Sequence, residues 1–196
     1  MKTKVSLRGV CRIIFCLAVA FSLVASVCAQ KRKSVRRGEA QTYFGFEEQV
    51  KKPVKLPEDA LALLIHLNKE ELDRCFESDE EKGAKPDDSS VYFAASEIDL
   101  NGDGRADLIV QPNPKTYCLQ RNSGIPFWIF VNGRTGYKLV YNDFAYDLGV
   151  LRTRTKGYRD IEISSHTIGE NYIMKLKFNG SEYKLAESRT EKIGEN

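Results

Sequence analysis

The chain has 196 residues, 42% of them apolar, with 30 Lys and Arg against 27 Asp and Glu, 14 Gly and 6 Pro. Such a length and balance exclude a disordered chain, a low-complexity or fibrous protein and a many-domain assembly, and predict one packed domain or at most two small ones. The formal net charge of +3 is spread unevenly, and that unevenness argues against a nucleic-acid-binding protein.

Lys2, Lys4, Arg8 and Arg12 precede an uncharged run over 13–29, the basic and apolar parts of a secretory signal. Val27 and Ala29 stand three positions and one position before a cut after Ala29. Residues 1–29 are therefore expected to be a signal peptide, with the protein secreted or periplasmic. A membrane-spanning helix needs about 20 apolar residues, and this run is shorter, so no membrane span is expected once the signal is cleaved. The basic cluster Lys31, Arg32, Lys33, Arg36 and Arg37 just past the run favours retention and is the feature that would keep the segment as an anchor.

Four of the 30 basic residues belong to the signal, which leaves 26 against 27 acidic ones, a net charge of −1. Five more lie in 31–37, so from Gly38 onward 21 basic groups face 27 acidic ones, net −6. A nucleic-acid-binding domain shows the opposite sign, so no nucleic acid is expected as a partner. Of 5 cysteines, Cys11, Cys16 and Cys28 leave with the signal. Cys75 and Cys118 remain, an even pair suited to one disulfide in an oxidising compartment and lacking the spacing of a zinc site.

Residues 30–55 mix charges with few apolar positions and read as a flexible basic leader, with a short ordered piece at 43–46. The expected domain is 56–196. A helix starts at Pro57, with Glu58 and Asp59 against its positive end, and Leu61, Leu64, Ile65, Leu72 and Cys75 keep helical spacing to about Phe76, with a break near Asn68. The acidic and Gly/Pro-containing stretch 77–90 reads as a loop. Short β-branched and aromatic runs then predict strands at 91–98, 107–111, 126–131, 137–141, 149–154, 160–165, 172–178 and 183–187. Asn179-Gly180 predicts a two-residue type I′ hairpin turn and 132–136 a longer hairpin loop. The fold class expected is α+β: an N-terminal helix packed on a mainly antiparallel β meander, a small twisted sheet or sandwich.

One motif carries chemistry. Residues 99–107 read Asp-Leu-Asn-Gly-Asp-Gly-Arg-Ala-Asp, with oxygen-bearing side chains at Asp99, Asn101, Asp103 and Asp107. Ca2+ takes six to eight oxygens at about 2.3–2.6 Å, and a tight glycine-containing loop can wrap alternate side chains and one main-chain carbonyl, here that of Arg105, around it. An EF-hand would place a bidentate Glu at its twelfth position, which here is Val110. The loop instead lies between two predicted strands and closely resembles the core motif of FG-GAP/VCBS-type calcium-binding repeats. That resemblance covers about 20 residues and implies Asp99, Asn101, Asp103 and Asp107, with the Arg105 carbonyl, as ligands of a structural Ca2+. The family builds propellers from several such repeats of about 40–50 residues, but no second copy occurs, so a closed propeller is not expected. The later stretch also looks like small secreted bacterial proteins of uncharacterised family that carry a single such loop.

His66 and His166 are the only histidines. His66 lies in an apolar helix and reads as structural. His166, with Ser164, Ser165 and either Asp147 or Asp160, supplies the residue types of a nucleophilic triad, but no Gly-x-Ser-x-Gly elbow accompanies them. The aromatic group Phe127, Trp128, Phe130, Tyr137, Tyr141, Phe144 and Tyr146 reads as core, with a stacking surface as the alternative. The Asn179-Gly180-Ser181 sequon is better explained as the hairpin turn. No phosphate loop or dinucleotide motif is present, and no catalytic residue is assigned. The sequence therefore points to an exported, calcium-stabilised binding or interaction protein of the envelope or extracellular space, with an unknown protein or polysaccharide partner. A secreted hydrolase, or an envelope inhibitor or structural protein, is the alternative.

Overall fold

The computed structural model describes residues 40–45, 50, 52–81, 89–116, 118–120 and 124–192. The expected signal over 1–29 lies outside them. Among the described residues nine strands form two antiparallel sheets, accompanied by two α-helices. The first strand, β1 (Ala40–Gly45), lies within the stretch expected as a leader and pairs antiparallel with the strand Asp147–Thr155.

Helix α1 (Glu58–Leu67) opens at Pro57, whose extended backbone (φ −60, ψ 148) sets the entry, and Glu58 and Asp59 occupy its first turn. It stops at Asn68, whose N–H and Nδ2 both donate to the Leu64 carbonyl, at 3.1 and 2.7 Å. The Asn68 carbonyl in turn accepts the Leu72 N–H at 2.9 Å, in the first turn of α2 (Lys69–Glu81). A four-residue 3-10 turn, Ser89–Tyr92, leads into the sheets.

The four-stranded sheet runs in the order β2 (Phe93–Ile98), β3 (Asp107–Pro112), β4 (Ile125–Gly133), β5 (Gly136–Ala145). In the five-stranded sheet the order is β1, β6 (Asp147–Thr155), β7 (Tyr158–Thr167), β8 (Glu170–Phe178), β9 (Tyr183–Lys192). Neither sheet closes on itself. Phe127, Ile129 and Val131 of β4 enter one core with Leu148, Ile161, Leu176 and Phe178 of the other sheet. Trp128 and Phe130 enter a second core with Ala60, Leu64 and Leu72 of the helices. Successive strand residues point to opposite faces, so β4 is buried on both sides and reads as an unbroken apolar run.

A single residue, Tyr146, separates β5 from β6, and its N–H donates to the Ser164 carbonyl at 2.7 Å as the chain passes from one sheet to the other. Gly124 (φ +135) lies against this bend. A Cβ there would stand 2.6 Å from the Ala145 carbonyl oxygen, so a larger residue would push the strands apart. Cys75 in α2 is bridged to Cys118 after β3, with Cα atoms 5.9 Å apart. The bridge ties the second helix to the chain that leaves β3. Among the described residues no helix is long and apolar enough to cross a membrane.

Candidate metal site

The loop at 99–107 joins β2 to β3. Ile98 and Asp107 face each other across the ladder, so the motif is the turn of a hairpin. Its glycines turn the chain: Gly102 and Gly104 have φ of +81 and +80, values at which any other residue would be strained. Asp99 Oδ1 accepts the Gly102 N–H at 2.6 Å and its Oδ2 the Gly104 N–H at 3.1 Å. Asn101 Oδ1 accepts the Asp103 N–H at 2.9 Å, and Asp103 Oδ1 the Arg105 N–H at 2.8 Å. Short polar side chains repeated at alternate positions favour this local capping of the backbone.

Asp107 lies deepest, fully buried at the start of β3. Its Oδ2 accepts the Leu100 N–H at 2.9 Å and its Oδ1 the Asn132 N–H at 2.8 Å. Burial pushes its pKa up; the two N–H donors pull it down, and the charges of Asp103 and Asp99 add to the upward shift. These three carboxylates therefore share one electrostatic environment. Asp103 behaves oppositely. Its Oδ2 accepts the Arg105 Nη2 at 2.6 Å, and this guanidinium, reinforced by the Arg105 N–H, holds its pKa down at about 2.

Leu100 fastens the loop to the opposite sheet. Its side chain is fully buried in the inter-sheet core, and its carbonyl accepts the Arg159 N–H at 2.8 Å and Arg154 Nη1 at 3.0 Å. The loop therefore links the four-stranded sheet to the β6–β7 hairpin. Arg154 and Arg159 were not singled out by sequence, because nothing local in 152–160 refers to a loop some 50 residues earlier.

Asp99, Asn101, Asp103, Arg105 and Asp107 thus share one tight turn, yet Asp103 faces Arg105. Among the described residues no group of three or more His, Cys, Asp and Glu side chains is arranged to hold a metal ion. The oxygen set suits a hard cation in kind. To close around one, it needs Asp103 to leave Arg105.

The other candidates separate in space. Trp128 is 1% exposed and packs edge-on against Phe93, with centroids 5.6 Å apart; Phe127 and Phe130 are also fully buried. These three are core and cannot offer a stacking surface. His66 is exposed on α1, and His166 is exposed with its ring against Tyr146, centroids 3.5 Å apart. The Ser164 hydroxyl donates to Asp147 Oδ2 at 3.3 Å, while Asp160 is buried and accepts the Thr153 hydroxyl at 2.6 Å, with Lys175 Nζ at 3.8 Å. A nucleophilic triad places imidazole between hydroxyl and carboxylate, and this serine reaches a carboxylate directly.

No protein-family model, no curated protein and no solved structure matches the chain.

Proposed function

We propose that this is an exported binding or interaction protein of the cell envelope or extracellular space, its helices packed on an antiparallel β core and its 99–107 loop holding one structural Ca2+. The ligands are the side chains of Asp99, Asn101, Asp103 and Asp107 and the carbonyl of Arg105, as the FG-GAP/VCBS-type motif implies. The reading rests above all on Asp107, a fully buried carboxylate whose pKa is raised by burial and by the neighbouring charges of Asp99 and Asp103. A divalent cation would relieve that cost, and through Leu100 it would brace the two sheets against each other. The bound ion supplies charge neutralisation and a fixed loop shape. The Cys75–Cys118 bridge is compatible with an oxidising compartment.

Thermal unfolding with and without Ca2+ tests the ion. At 100 times its dissociation constant a ligand adds about 2.7 kcal/mol, which for a domain of this size raises Tm by about 5–10 °C. Asp103→Ala should abolish the difference between excess EDTA and millimolar Ca2+. An unchanged Tm across the two conditions in the parent protein would refute the site.

A further inference from the structure

Four strands lie at sheet edges, β1 and β9 in one sheet and β2 and β5 in the other. An edge strand presents unpaired backbone donors and acceptors to other chains unless something guards it. β2 is met by Val54, whose N–H donates to the Ala95 carbonyl at 3.0 Å. β9 is guarded by charges that are already paired: Glu187 with Lys177 at 2.6 Å, Lys184 with Glu182 at 3.2 Å, and Arg189 with Glu162 at 3.4 Å.

β5 differs. Its two charged residues, Lys138 and Asp143, are exposed, and among the described residues neither takes part in an ion pair. Beside it runs a groove of about 390 Å3 floored by Ile163, Met174 and Leu176, with Leu185, 57% exposed, on its far side. Asp59 Oδ2 holds the Tyr137 N–H at 3.0 Å, so the edge is capped at Tyr137 and open beyond it.

A bulge sets the faces of this strand. Ile129 faces Tyr141 and Phe130 faces Leu139, which leaves Val140 as the extra residue. Val140 and Tyr141 both turn to the inter-sheet core, while Leu139 packs on the helix side. Lys138 and Asp143 stand opposite Val131 and Phe127, which are inter-sheet residues; Asn142 stands opposite Trp128, a helix-side residue.

We propose that β5 is a homodimer edge, on which two copies pair antiparallel about a two-fold axis between Val140 and Tyr141. In this register Lys138 of each copy faces Asp143 of the other, Leu139 faces Asn142, and Val140 faces Tyr141. Opposed residues in an antiparallel ladder must point to the same face. A regular strand in this register would set inter-sheet residues against helix-side ones. The bulge removes that conflict, because Lys138 and Asp143 share the inter-sheet face and Leu139 and Asn142 the helix side. The Lys138–Asp143 pair then forms twice, once on each side of the axis, in the self-complementary manner of an isologous interface.

Sedimentation of the whole protein tests this. The short ladder predicts a weak dimer, with a dissociation constant on the order of 10–100 µM. Asp143→Lys or Lys138→Asp alone should weaken it about tenfold or more, since each sets like charges opposite one another. An equimolar mixture of the two single variants should associate as a heterodimer, and the double variant Lys138→Asp/Asp143→Lys should regain the parent affinity. A parent protein that stays monomeric at about 1 mM, a dimer insensitive to Asp143→Lys, or single variants that fail to associate on mixing would each overturn the proposal. Binding of an unrelated extended peptide at this edge, with no self-association, would also overturn it.

Discussion

β4 and β8 are strands of equal length, nine residues each, in adjoining sheets of the same domain, yet they behave differently. In β4 the first seven residues, Ile125 to Val131, are all buried. In β8, Ile173, Leu176 and Phe178 are buried, while Tyr172 is 37% exposed and Lys177 carries an exposed ion pair to Glu187. The helices cover one face of the four-stranded sheet and leave the five-stranded sheet with one wet side. Burial on both faces concentrates the apolar area, and with it the stability, in β3 and β4.

The sharpest way to break this comparison is to truncate one residue in each sheet. Trp128→Ala should cost about 3–5 kcal/mol in urea unfolding. Arg189→Ala, which removes partly exposed ion pairs to Glu162 and Glu191, should cost less than about 1 kcal/mol. Similar losses would mean that the doubly covered sheet is not the stability centre. Because Trp128 Nε1 is buried with no hydrogen-bond partner among the described residues, Trp128→Phe should be penalised for lost volume alone.

Next in size is the bridge that helps hold the helical layer in place. Cys75 and Cys118 are separated by 43 positions, and opening a loop of that length costs about 3–4 kcal/mol in the chain-entropy treatment. The Cys75→Ser/Cys118→Ser variant should unfold at correspondingly lower urea, and reducing agent should destabilise the parent but not the variant. If reductant shifts both equally, α2 is held by its apolar contacts alone.

The smallest expected effect is at the loop. The pKa of Asp103 is lowered from 3.8 to about 2 in the folded state. A depressed carboxylate contributes stability that is full above its unfolded value and is lost as pH falls from about 4 through about 2. Arg105→Ala should return Asp103 toward 3.8, seen as a displaced carboxylate titration by NMR. Asp107, raised by burial, has the opposite sign: its contribution weakens as pH rises through its folded pKa. An Asp103 titration that ignores Arg105→Ala would remove the geometry described for the loop.

Much of the architecture was legible because its cues are local. The break at Asn68, the turn within 132–136 and most strand positions follow from spacing and turn chemistry over a few residues. The two-residue turn expected at Asn179-Gly180 is instead a four-residue loop, because Phe178 pairs with Tyr183 and the Asn179 side chain accepts from the Ser181 and Glu182 N–H groups. A sandwich was one of the two arrangements left open, but which strands fall in which sheet was not legible. A single-residue link at Tyr146 leaves no Gly/Pro signature where the chain passes from β5 to β6 in the other sheet. β1 was half-read as an ordered piece, because its partner lies more than 100 residues downstream. The candidate loop was found at once from its alternating oxygens, but its anchoring by Arg154 and Arg159 was hidden, since a carbonyl such as that of Leu100 carries no sequence mark.

By itself the sequence determined the types of element, the pairing-ready cysteines, the charge asymmetry and the oxygen-rich turn at Asp99 to Asp107. Each depends on interactions among near neighbours or on composition. Only the tertiary structure decided that Trp128 and Phe130 lie under the helices, that Phe127 and Ile129 face the other sheet, that Asp107 is buried, and that β5 is an edge strand. Those outcomes turn on which surfaces cover which. Covering is settled by long-range packing of apolar area, and that packing has no counterpart in residue spacing.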